Sequence, residues 1–277
     1  IFHNVFRLNE RGVVVPAVPT GELRHVKMAL GKQRAVILEE FVNGNVFTEE
    51  NPLGLQLLFL EHIHLTPMES SEKSEWVGEV YFMRAFYNFI SLRTYGPIPK
   101  YDKSMSIGSD FTKIERAPFD EIVEFIVSDC EKAIEALPSR REFNYYGRAS
   151  AAAAYALRSR VLLYAASPLY NGNPDYSGMQ TSAGKPLVPG YSKEKWARAA
   201  EAAKECIDFC EGLLPGTTAE YCLYESPADD PVKTAQEIFL NNLNDEVIFA
   251  VNLGVNLLFE QCVDPVSSQG FSWYAPS

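Results

Sequence analysis

Positive charge is scarce in this sequence: 25 Lys and Arg face 36 Asp and Glu, giving a formal net charge of −11 at pH 7 and a pI near 5.0. Nucleic-acid binding rests on basic side chains displacing condensed counterions, so a nucleic-acid reader is excluded. Long apolar runs are missing as well. Nothing approaches the roughly 18 residues of a bilayer-spanning helix, and Ile1 to Arg11 lacks the basic-then-apolar layout of an export signal. Ile1 in place of Met points to a processed or clipped start, with any export signal outside the sequence. The five cysteines (Cys130, Cys206, Cys210, Cys222, Cys262) are odd in number and scattered, unlike a disulfide framework, and most of them read as buried thiols. No nucleophile elbow, phosphate loop or zinc-binding helix signature occurs, and Gly31-Lys32 lacks the Gly five positions earlier. The carboxylates fall mostly on wet helix faces, so no catalytic residue is assigned.

What is present is core-forming material: 47% of residues are hydrophobic and 12% aromatic, which excludes disorder. Residues 1–58 show no clean period; Val13–Val15 looks strand-like before Pro16 and Pro19, and Leu23–Phe41 could be helical. From Glu75, apolar residues from Trp76 to Ile90 cover most of a helix circumference, which predicts a central, buried helix ending at Tyr95-Gly96-Pro97. Pro118 suits a first turn, and Phe119, Ile122, Val123, Ile126, Cys130, Ala133 and Leu137 recur at i, i+3, i+4 until Pro138. Further helices are expected at about 149–166 and 193–211. Between them, Pro168–Tyr191 is a loop long enough to be functional or disordered. Leu213–Lys233 reads as irregular, and Glu246–Val251 as a short buried strand or extended segment. Trp196 with Ala199, Ala200 and Ala203 has the large-then-small spacing of a tetratricopeptide helix, so the fold class is mainly α, built of tetratricopeptide-like helical pairs.

Several segments together carry a family resemblance: Gly78-Glu-Val-Tyr-Phe-Met-Arg84-Ala-Phe-Tyr-Asn-Phe89, Tyr95-Gly-Pro-Ile-Pro99, Arg116 ahead of Phe119-Asp-Glu-Ile122, and Asp129 with Ala133 and Leu137-Pro138. They continue with Gly147-Arg148-Ala149, Ala165-Ala-Ser-Pro-Leu-Tyr-Asn171 and Trp196 with its alanines. In order and spacing this resembles the SusD/RagB family, over residues 60–211 and more loosely over 245–277. Residues 1–58 depart from the family pattern, so the chain divides into a divergent segment, 1–58, and a SusD-like helical domain, 59–277, expected to be truncated at its C-terminus. The resemblance implies a helical scaffold with an irregular, loop-rich ligand face and few short strands. It implies no enzymatic activity and no cofactor. It also implies a lipid-anchored, cell-surface location at the outer membrane, with a SusC-like TonB-dependent β-barrel transporter as partner and oligosaccharides or peptides as ligands. The expected lipid-bearing Cys is not found in the sequence.

Sugar recognition needs flat aromatic faces with amide and carboxylate groups for the hydroxyls. The segment with Tyr170, Asn171, Asn173, Asp175 and Tyr176 has that composition, as do Trp273-Tyr274 and Tyr145-Tyr146. The plainer reading is that these rings pack loops onto helices. Asn171, Asn173 and Asp175 alternate as in a calcium loop, but Tyr176 stands where Gly is needed and Ser182 where Glu is needed, so no metal is assigned. His62 and His64 share a face only in an extended backbone, and Cys206 with Cys210 would need two further ligands for zinc. Arg84 and Arg148 lie within or beside apolar helices and are expected to form structural ion pairs; Trp196 is expected in a structural role. Two rival functions are an intracellular tetratricopeptide adaptor, which requires a regular period, and a glycoside hydrolase.

Overall fold

The computed structural model describes residues 52–250, apart from 106–109, 111, 113, 142–144, 146, 229 and 241–243, together with the backbone of two short strands. Those strands, β1 (Phe6–Leu8) and β2 (Val14–Pro16), pair antiparallel with Arg7 opposite Val15. Pro16 closes β2, a position where a missing N–H is tolerated. The helix expected at Leu23–Phe41 lies outside the described residues.

Six α-helices follow: α1 (Pro52–His62), α2 (Ser70–Tyr95), α3 (Phe119–Ala136), α4 (Ala151–Ala166), α5 (Glu194–Cys210) and α6 (Pro231–Leu240). Each of the first five packs chiefly on its neighbours in sequence, giving a stack of α-hairpins. The 26-residue α2 has apolar side chains on most of its circumference because it is covered on two sides. Phe59 and Ile63 meet Val80 on one side, while Phe82, Met83, Phe89 and Leu92 join the main core with α3 and α4 on the other. By contrast, α3 buries one face, with Phe119, Ile122, Ile126 and Cys130 sealed from solvent.

Helix ends follow local chemistry. Gly96, at φ +70°, lets the chain turn out of α2 while its N–H donates to the Leu92 carbonyl at 2.9 Å. Leu137 is extended, as a residue ahead of proline prefers, and ends α3. Ser150 caps α4, its hydroxyl accepting from Ala153 N at 3.3 Å, so the helix starts two residues after the expected Ala149. Small residues set the approaches. Ala151 to Ala154 are buried, and a Cβ placed on Gly78 in α2 would lie 2.8 Å from Ala136 Cβ in α3.

Three expectations are revised. The irregular stretch to Lys233 contains the start of α6, whose Pro231 occupies the first turn while Asp230 Oδ1 accepts from Val232 N at 2.9 Å. Residues 245–249 form turns and bends rather than a strand: Asn244 Oδ1 accepts from Glu246 N and Val247 N, which curls the backbone, while Ile248 and Phe249 still pack on the core. Trp196 is 41% exposed at the start of α5, where Ala199 and Ala202, one turn apart, make the buried contact; Ala200 faces solvent.

Candidate functional site

The loop that follows α4 is ordered. Its first turn runs on from the helix: Tyr170 N and Asn171 N both donate to the Ser167 carbonyl, at 3.1 and 3.0 Å. Asn171 then clasps the two ends of the loop, with Nδ2 donating to Ala166 O (3.2 Å) and Ser192 O (2.9 Å) and Oδ1 accepting from Ser192 N (2.7 Å). Gly172, at φ +83°, lies so close to Tyr191 that a Cβ there would sit 2.6 Å from the Tyr191 Cβ. A short 3-10 turn, Pro174–Tyr176, is started by Asn173, whose side chain accepts from Asp175 N at 3.0 Å.

Further along, the loop becomes part of the scaffold. Leu187 and Val188 are buried, and the Leu187 carbonyl accepts from Phe119 N, the first amide of α3, at 2.8 Å. Residues 180–186 form a small hairpin held by the Gln180–Pro186 bridge, and Ser182 Oγ donates to Glu115. A ring stack fixes the beginning. Phe119 and Tyr170 lie face to face with centroids 4.2 Å apart and planes at 13°, and Tyr176 stacks on Tyr170 at 5.7 Å and 16°.

This arrangement divides the expected ligand residues. Tyr170 is 7% exposed and Asn171 is buried, so both serve packing and loop closure. Asn173 and Tyr176 are half-buried and Asp175 is exposed. Tyr146, Trp273 and Tyr274 lie outside the described residues; Tyr145 is exposed beneath the Arg148 guanidinium, 5.4 Å from its ring centre.

Arg84 and Arg148 each meet a buried carboxylate. Arg84 Nε and Nη2 donate to both oxygens of Asp129, at 2.6 and 2.7 Å, joining α2 to α3 in a two-pronged pair. Phe125 covers the guanidinium at 4.7 Å from its ring centre. Arg148 Nε lies 2.7 Å from Glu79 Oε1, and Arg141, which the sequence reading missed, donates to the same oxygen at 2.5 Å and to Glu75. Burial pushes the Glu79 carboxyl above its ordinary range, against the pull of Arg148 and Arg141 and with the push of Glu75. No sequence period links Glu79 to Arg141; only the return of the chain after α3 does.

Beside this cluster is a cleft of about 500 Å³ lined by Arg140, Arg141, Arg148, Tyr221, Asn244 and Phe249, among others. Its guanidinium groups are neutralised, since Arg140 bonds Asp245 at 2.8 Å and the other two face Glu79. Burial pushes the Cys206 thiol up to about 12, which leaves it protonated and unreactive at neutral pH. Among the described residues, no group of three or more His, Cys, Asp or Glu is gathered to hold a metal ion, and no helix is long and apolar enough to cross a membrane.

Residues 53–163, which span α2, α3 and most of α4, match the SusD-like family described as "Starch-binding associating with outer membrane". The SusD-like protein P2 of Formosa agariphila is 34% identical over 78 residues, which are 28% of this chain and 15% of that protein. Among solved structures, BT4246 superposes with a TM-score of 0.60 at 26% identity, covering 74% of this chain and 40% of its own. A SusD-like protein from Bacteroides fragilis gives 0.56 at 22% identity, covering 87% of this chain and 43% of its own, a likeness of fold. The chain thus spans less than half the length of these relatives. Over residues 53–163 the chain is thus similar to the SusD-like family, and its stacked-hairpin architecture is similar to that of the solved SusD-like protein.

Proposed function

We propose that this chain is part of a cell-surface binding protein that captures oligosaccharides without cleaving them and delivers them to a TonB-dependent β-barrel in the outer membrane, to which a lipid anchor holds it. The observation that carries the reading is the match of residues 53–163 to a starch-binding, outer-membrane-associated family. The geometry agrees with it. A rigid stack of helices supports an ordered loop whose outer part presents Asn173, Asp175 and Tyr176, residue types that stack on pyranose rings and bond their hydroxyls. The intracellular adaptor reading loses its ground here, since the unequal connections after α2 and α4 break any fixed repeat.

Native gel electrophoresis of the chain through soluble starch, laminarin, xyloglucan and the acidic polysaccharide alginate tests the proposal. Retardation by at least one of them, with no shortening of labelled oligosaccharides on overnight incubation, is the expected result. Free passage through all of them removes the glycan reading and turns attention to peptides. Release of shorter sugars makes the protein a hydrolase.

A further inference from the structure

We infer that Tyr176, stacked on Tyr170, forms a preset platform for the flat face of an uncharged sugar ring at the end of the helical stack; this rests on the glycan-binding reading and locates the contact. Three nearly parallel rings build the platform. Phe119 is sealed in the core, Tyr170 lies on it, and Tyr176 lies on Tyr170, so the stack rises from the first turn of α3 to the surface. Tyr176 stacks on Tyr170, packs against the core and stays half-buried, with part of its surface open to solvent. A surface tyrosine normally loses rotamer freedom when a ligand orders it. Here the stack and the Asn173-started turn set the inclination of the ring before any ligand arrives.

The surroundings suit a sugar. Tyr191, 69% exposed, is pressed against Gly172 and followed by Ser192, which Asn171 clasps. Tyr95, 71% exposed, precedes Gly96, whose Cβ position would lie 3.2 Å from the Tyr170 hydroxyl. Gly96 thus brings the end of α2 beside Tyr170, and Gly172 brings the end of the loop back beside its beginning. Asp175 is exposed beside Tyr176 and offers a carboxylate to paired hydroxyls. With that carboxylate at the platform and a net charge of −11 on the chain, uronic or sulfated sugars are repelled. The ligand class is a neutral oligosaccharide.

The test uses whichever polysaccharide of the panel retards the unaltered chain. Tyr176→Ala is expected to weaken retention at least tenfold, Tyr176→Phe to keep most of it because the ring remains, and Tyr191→Ala to weaken it by a smaller factor. Unchanged thermal unfolding of Tyr176→Ala excludes a folding defect, and Tyr176→Phe guards the conclusion if that variant is unstable. Starch, laminarin or xyloglucan should retard the chain and alginate should not. Full retention by Tyr176→Ala overturns the platform while leaving glycan binding intact, as does retention by alginate alone. Passage through every polysaccharide removes the binding reading and the platform with it.

Discussion

The α2–α3 junction and the Ser167–Ser192 loop are both ordered, yet by opposite means. The junction excludes water over a broad apolar area and sets one charge pair, Arg84–Asp129, inside it. The loop buries Tyr170, Leu187 and Val188 at its two ends and otherwise relies on a few directional contacts: the Asn171 clasp, the Leu187 carbonyl on Phe119 and the ring stack. Dense burial couples many residues, so damage there should unfold the stack as a whole. Sparse directional contacts fail one at a time, so damage in the loop should open the loop alone.

The sharpest way to break this contrast is Asp129→Ala, which strands the Arg84 guanidinium in the core and should cost about 3–5 kcal/mol in urea-unfolding experiments. A loss below about 1 kcal/mol would mean that water reaches the junction after all. Gly78→Ala comes next. The substitution gains roughly 1 kcal/mol of helix propensity, but the new methyl meets Ala136 Cβ, a group with no rotamer to move, and the net loss is expected at about 1–3 kcal/mol. A gain in stability would show that α2 and α3 can separate freely.

Asn171→Ala removes the clasp and leaves Ser192 N–H and two carbonyls without this partner. Its global cost is expected near 1 kcal/mol, whereas amide exchange at Ser192 should rise by tenfold or more while that of α3 stays fixed beyond its first turn. Faster exchange throughout α3 would erase the distinction between the two regions. The smallest effect is expected for Lys204→Ala, which breaks an exposed i, i+4 pair with Asp208 and should change stability by less than about 0.5 kcal/mol.

The same contrast explains what could be read in advance. Helices α2 to α5 were legible because apolar spacing, Gly96 and the prolines at 97, 118 and 138 are local signals. Helix α6 escaped notice because it is ten residues long and lies in a polar stretch, although Asp230-Pro231 is a start signal. Within the loop, Tyr170 and Tyr176 look alike in sequence. Only the position of Phe119, far away in the chain, makes one an interior ring and the other a surface ring. The need of Arg84 and Arg148 for carboxylates followed from their apolar settings. Which carboxylates they meet, and that Arg141 shares Glu79, depends on how α2, α3 and the following turn are brought together.

The hairpin at residues 180–186 has one more consequence. Its tip, Ser182 to Lys185, is exposed, while the Gln180–Pro186 bridge and the bond from Thr181 N to Lys185 O at 2.8 Å close it from below. Foreign residues grafted between Ala183 and Gly184 would enlarge a loop whose ends are already joined, at only about 0.6 kcal/mol per doubling of its length. A fluorescent reporter placed there would ride on the capped end of α3, near enough to the rest of the loop to register a ligand and attached to residues that are themselves exposed.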